Sequence, residues 1–193
     1  MPATAAVPGG ALGSPFRLGL TPVTNAEYAA FLSEGRAVEP PFWRDPAFSA
    51  ARQPVVGITW YEACDFAAWL SERGYARFRL PSEAEWEHAA RGGLAEARTA
   101  WGDALPPGEI PEGQLAGPWP AGRGTPNGYG LFDMGTIVHE WCLDWHDPET
   151  RTRRASRGGS WRHHVRWSGP SARSSLPPAY RYADYGFRVL QEP

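Results

Sequence analysis

Polar caps followed by apolar residues at three- and four-residue spacing predict three helices. Thr24-Asn25-Ala26-Glu27 opens the first. A cap Thr hydroxyl accepts from a backbone N–H that lacks a helical partner, and Glu three residues on reaches back. Tyr28, Phe31 and Leu32 then recur on one face, and Gly35 offers a stop. Thr59-Trp60-Tyr61-Glu62 repeats the signal. Tyr61, Cys64, Ala67 or Ala68, Trp69 and Leu70 form the stripe of this second helix, and Gly74 closes it. Ser82-Glu83-Ala84-Glu85 opens the third, which ends at Gly92-Gly93. Short apolar runs predict strands at 16–20, 78–80, 138–144, 155–161 and 185–190. Residues 99–130 are rich in Pro and Gly and have no period. So long a loop needs pinning, and Trp101 and Trp119 are the side chains to do it.

Composition adds bounds. The 193 residues suffice for one domain with a real core. Ten tryptophans point to a core of large flat side chains wedged between irregular segments. With 22 Gly and 20 Pro, much of the backbone must be turn and loop. Residues 1–15 are small and Gly/Pro-rich, which predicts a flexible N-terminal tail before a single domain at 16–193. A net charge of -2 gives no electrostatic reason for nucleic acid or an anionic membrane as partner. No apolar run is long enough to span a bilayer, and the expected location is cytoplasmic. Cys64 and Cys142 sit among apolar neighbours and read as buried free thiols. All nineteen basic residues are Arg, and nine lie between Arg151 and Arg188. A guanidinium fork matches a carboxylate with two parallel bonds, so this end either ties loops together or takes an acidic ligand.

Seven segments in order carry a resemblance. They are Pro22 to Tyr28, Pro54 to Trp60, Arg79 to Trp86 with Ala89 to Gly92, Asn127 to Met134, Glu140-Trp141, Arg157 to Trp161, and Gly186-Phe187-Arg188. Together they resemble the formylglycine-generating enzyme family, also called sulfatase-modifying factors, over about residues 18–190. The resemblance implies an α+β domain that is a variant of the C-type lectin fold. Regular structure would be sparse, with short twisted antiparallel strands and about three helices. It also implies a calcium ion held by the side chains of Asp133 and Glu140 and the carbonyls of Thr136 and Val138. The family usually has Gly-Asn where this chain has Thr136-Ile137.

The family's oxidase uses a pair of cysteines to bind copper, because thiolates suit Cu(I). Counted from the Gly158-Gly159-Ser160-Trp161 turn, those positions hold His163 and Ser168. Neither is a thiol, so formylglycine formation by a cysteine–copper route is not expected, nor is copper or iron. The first expectation is a binding module for a peptide, a protein or a small acidic ligand. Arg162, His163, Arg166, Trp167 and Tyr182 are its candidate contacts, since aromatic and guanidinium groups dominate recognition surfaces. The alternative is a divergent oxygen-dependent oxidase, using non-heme iron or copper, with His163 in the thiol's place. His163 and His164 are adjacent, and an extended chain would aim them at opposite faces. A single His163 grouped with His139 and Glu140 is the metal arrangement left open. His139-Glu140 is no zinc-protease motif, because position 143 is Leu. Trp161 and Tyr185 are expected in the core, and Arg173 and Arg188 as loop ties.

Overall fold

A computed structural model describes residues 1–74, 76–106, 115–163 and 168–193. The three capping boxes form as predicted. Thr24, Thr59 and Ser82 each accept from the backbone of the Glu three residues on, whose carboxylate bonds the cap's own N–H. They open α1 (Asn25–Ser33), α2 (Trp60–Arg73) and α3 (Glu83–Arg91). Gly92 ends α3 in the left-handed conformation, with φ 58°.

Among the described residues, eight short strands make two four-stranded sheets. The first contains β1 (Thr4–Val7), β2 (Phe16–Gly19), β3 (Phe78–Arg79) and β8 (Leu190–Gln191), in the order β1-β2-β8-β3. The second contains β4 (His139–Trp145), β5 (Arg154–Arg157), β6 (Arg173–Leu176) and β7 (Tyr185–Gly186), in the order β6-β5-β4-β7. All pairs are antiparallel except β4 with β7, which run parallel.

Four local expectations change. Residues 1–15 are not a loose tail: β1 pairs with β2 from Thr4↔Gly19 to Val7↔Phe16, and Val7 is fully buried. The pairing satisfies the β2 edge, which would otherwise expose unpaired backbone groups. The run expected at 185–190 splits between the two sheets, so Phe187–Val189 crosses from one to the other. The run at 155–161 stops at Arg157, where Gly158 adopts φ 77°. A Cβ there would lie 2.8 Å from Gly135 Cα and 3.2 Å from the Trp86 ring. Only glycine combines that φ with such close approach. Finally, the buried stripe of α2 is Ala63, Phe66, Ala67 and Leu70 with Trp69, one phase away from Tyr61 and Cys64. Tyr61 is 52% exposed. Cys64 is half-buried, Cys142 is fully buried, and both are free thiols.

The core is aromatic, as the composition suggests. Tyr28 stacks on Phe66 at 5.6 Å, and Phe31, Trp69 and Phe187 meet Phe66 at tilted or edge-on angles. These contacts lock α1 to α2. A second cluster sets Trp86, Leu18, Leu131 and Met134 between α3 and the sheets. In a third, buried Trp119 packs with Phe48, Val56 and Ile137. Trp101 donates its indole N–H to the Thr125 carbonyl at 2.7 Å. The two tryptophans therefore do pin the ends of the long loop.

One core atom is ill-served. The Tyr28 hydroxyl is buried with no hydrogen-bond partner among the described residues. A buried unpaired hydroxyl costs on the order of 1–3 kcal/mol. Tyr28→Phe is therefore expected to stabilise the fold by about 1 kcal/mol in urea denaturation. A destabilised variant would show that the hydroxyl has a use.

Candidate functional site

Side chains alternate across a strand, and β4 uses this to separate two functions. His139 faces a cavity while its neighbour Glu140 faces the interior. Glu140 is fully buried. Its carboxylate accepts a fork from Arg188, at 2.6 and 2.8 Å, and the Trp86 indole N–H at 2.6 Å. Arg188, equally buried, donates onward to the carbonyls of Gly19 and Phe132 at 2.9 and 3.1 Å. Both oxygens of Glu140 thus serve a guanidinium.

This geometry bears on the expected calcium ligands. A divalent cation at Glu140 would sit against the positive charge of Arg188. Asp133 Oδ2 accepts from the Gly122 N–H at 2.7 Å. Thr136 turns inward, with its backbone N–H donating to the Asp133 carbonyl at 3.2 Å. Val138 is a buried core residue in the Trp119 cluster. Burial pushes the Asp133 carboxyl up to about 6, opposed by the Gly122 bond and the Arg188 charge.

The loop ties are as expected. Arg173 forks Glu83 at 2.6 Å on each oxygen, and Arg157 lies 2.9 Å from both Glu83 and Glu87. Arg181 forks Glu62 at 2.6 and 2.7 Å. Arg154 stacks between Trp60 and Trp145, 3.7 and 3.6 Å from the ring centres. Most of the Arg-rich end is therefore spent on structure.

What remains is the cavity that His139 faces. Its volume is about 900 Å³, and its lining includes Arg98, Asp103, His139, His163, Ser171 and Arg173. The parallel β4–β7 pairing sets His139 opposite Tyr185, and the His139 N–H donates to the Asp184 carbonyl at 2.9 Å. His139 Nδ1 lies 2.7 Å from the Gly158 carbonyl. A carbonyl only accepts, so Nδ1 carries the proton and Nε2 keeps its lone pair. Burial holds the His139 imidazole below its usual range, which favours the neutral ring. The His163 ring stands edge-on to it, 5.0 Å between centres.

Ser160 joins the set. Its hydroxyl donates to Asp184 Oδ2 at 3.0 Å and lies 3.5 Å from His163 Nδ1. One ligand atom from each of His139, His163 and Asp184 falls within 4.8 Å of the others. The sequence pointed to His139 and His163 but grouped them with Glu140, which faces the other way. Asp184 was missed, and only the parallel register of β7 beside β4 brings it here.

Of the other candidates, Ser168 is buried behind the turn, where a Cβ on Gly159 would collide with its Oγ. Arg162 is exposed and packs over the Trp161 ring at 4.9 Å. Tyr182 is 45% exposed, beside Tyr185. Neither of these two lines the cavity. Arg166 and Trp167 lie outside the described residues. Trp161 packs on Phe48 and Tyr185 is buried, both as core side chains. Arg98, by contrast, has no carboxylate partner among the described residues.

Three capped helices, two small sheets and a cavity beside the Gly158-Gly159-Ser160 turn define an α+β domain of the C-type-lectin-like kind. The chain belongs to the sulfatase-modifying factor family: residues 8–193 match the sulfatase-modifying factor enzyme 1-like domain. It is 33% identical to a formylglycine-generating enzyme of Thermomonospora curvata over 198 residues, covering 81% of this chain and 63% of that protein. The chain thus spans less than two thirds of that relative. It is 37% identical to the inactive C-alpha-formylglycine-generating enzyme 2 of Mus musculus over 139 residues, 62% of this chain and 43% of that protein. Among solved structures, Treponema denticola variable protein 1 superposes with a TM-score of 0.80 at 24% identity, covering 93% of this chain and 85% of that one, which establishes the fold alone. Among the described residues, no helix is long and apolar enough to cross a membrane.

Two outcomes follow. Glu140→Gln leaves the Arg188 charge buried and unpaired, so it is expected to cost roughly 3–5 kcal/mol in urea melts. The loss should be the same in calcium and in excess chelator. A loss that appears only with calcium present would support the calcium site. For Asp133, a folded value near 6 lies above the ordinary 3.8. A raised acid favours folding when protonated: that contribution is complete below about 3.8 and is lost as pH rises through about 6. Asp133→Asn should therefore stabilise the protein by roughly 2 kcal/mol at pH 7 and lose that advantage below pH 4. Equal effects of the substitution at both pH values would contradict this.

Proposed function

We propose that this chain is a ligand-binding member of its family, taking a small acidic ligand or the acidic part of a peptide in the cavity beside His163. The observation that carries this reading is Arg98: an exposed guanidinium on a cavity of about 900 Å³, with no carboxylate partner among the described residues. Arg173, on the same lining, is already forked to Glu83, so among the described residues of the lining Arg98 is the guanidinium left to recognise an anion. The donor set also weighs against the family's named reaction. His163 and Ser168 stand where two thiols would hold copper, and neither nitrogen nor hydroxyl replaces a thiolate pair on Cu(I). Cys142 is buried in the second core cluster, and burial pushes the Cys64 thiol up to about 12, so neither thiol is a ready nucleophile. A relative named inactive supports a role without thiol oxidation. Two free thiols suit a reducing compartment, and a cytoplasmic location goes with this reading.

Calorimetric titration with di- and tricarboxylates and with short Asp- and Glu-containing peptides tests it. At least one probe is expected to bind, and Arg98→Ala should weaken that binding about tenfold or more, or about 1.4 kcal/mol. Silence across the whole panel, or an Arg98→Ala variant that binds equally well, would overturn the reading. So would conversion of a sulfatase-derived peptide's cysteine to formylglycine by the purified chain alone.

A further inference from the structure

We propose that His139, His163 and Asp184 form a binding site for one divalent first-row transition metal ion at the wall of the cavity. The proposal rests on the reading of that cavity as the functional site and adds an ion to it. These are two imidazoles and a carboxylate, a donor set that suits borderline ions such as Fe(II), Co(II) and Zn(II). Its donors differ from the thiol pair that the family resemblance implies: His163 occupies one of the two thiol positions, and the other two ligands come from β4 and from the residue before β7.

Three observations carry it. The first is the state of the nitrogens. The Gly158 carbonyl takes the Nδ1 proton of His139, leaving Nε2 with a lone pair. Metal-ligating histidines almost always donate their other N–H in this way, often to a backbone carbonyl. The second is Ser160. Its proton goes to Asp184 Oδ2, so its oxygen can receive the Nδ1 proton of His163. One hydroxyl thereby orients two of the three ligands. The third is Asp184 itself, which is buried at 6% exposure and has no ion-pair partner among the described residues. Buried carboxylates are paired or hold a metal.

The spacing is consistent. The three ligand atoms lie within 4.8 Å of one another, yet neither histidine ring makes an ion pair or hydrogen bond with the Asp184 carboxylate among the described residues. Metal–ligand bonds of about 2.0–2.2 Å put two ligands of one ion roughly 3–4 Å apart. His163 is exposed and can supply the small rotation that closes the set, while His139 and Asp184 are held by their shared backbone bond. Three protein ligands leave coordination positions to be filled from the cavity, by water or by an anionic oxygen of the ligand that Arg98 attracts.

The experiment is titration of the dialysed protein with Zn(II) alone, and with Co(II) alone under inert gas, with no organic ligand present. One equivalent is expected to bind. Co(II) should develop visible ligand-field bands, and the melting temperature should rise with either metal. His163→Ala, at an exposed position, should keep the fold by circular dichroism and lose at least tenfold in affinity together with the bands. Asp184→Asn preserves side-chain size and should do the same. Ser160→Ala should weaken binding roughly 10–100-fold, as for a residue that orients ligands. Because no organic ligand is present, metal binding is read whether or not any acidic probe binds, which separates this proposal from the one before it. Absence of a one-to-one complex at tens of micromolar metal, or affinity and bands unchanged in His163→Ala, would overturn the site.

Discussion

The fully buried ion pair of Glu140 and Arg188 joins the two sheets of the molecule. Arg188 lies in the crossing between β7 and β8, so it belongs to neither sheet and touches both. Its guanidinium forks Glu140 on β4 and donates to the carbonyls of Gly19, at the end of β2, and Phe132, before β4. Trp86 of α3 adds an indole N–H to the same carboxylate. Five segments distant in sequence thus share one charge-neutral node. A well-packed apolar cluster of equal volume would often be as stable, but it would not dictate direction. The forked geometry admits one arrangement of sheets, helix and loop.

That node also orders the candidate site without entering it. Because β4 alternates, fixing Glu140 inward fixes His139 outward. Because Arg188 follows β7 directly, anchoring it holds β7 parallel to β4, and Asp184 arrives beside His139. The core and the cavity therefore share one strand and use its opposite faces. A change to the node is felt in the cavity through register rather than through contact.

What the sequence made legible follows the range of the interactions. The capping boxes at Thr24, Thr59 and Ser82 are local, and each could be read from four residues. The core role of Tyr185 was also within reach of local pattern. Strand β1 was not, since Thr4–Val7 gains its meaning only from pairing with β2. Nor was β6, whose Arg-Ser-Ser-Leu carries no apolar alternation. Glu140 is the instructive case. The same carboxylate suits a calcium ion or a guanidinium, and the approach of Arg188 follows from the path of the chain rather than from any local pattern. Asp184 stayed hidden for a related reason: its partner is 45 residues away in β4 and the pairing is parallel, the arrangement with the weakest sequence signature.

The contact between Gly159 and Ser168 bears on how such a domain can diversify. A Cβ at position 159 would lie 2.2 Å from the Ser168 Oγ, so the two residues share one small volume. Any side chain larger than hydrogen at 159 would have to displace the residue at 168. The two positions are therefore expected to change together or not at all.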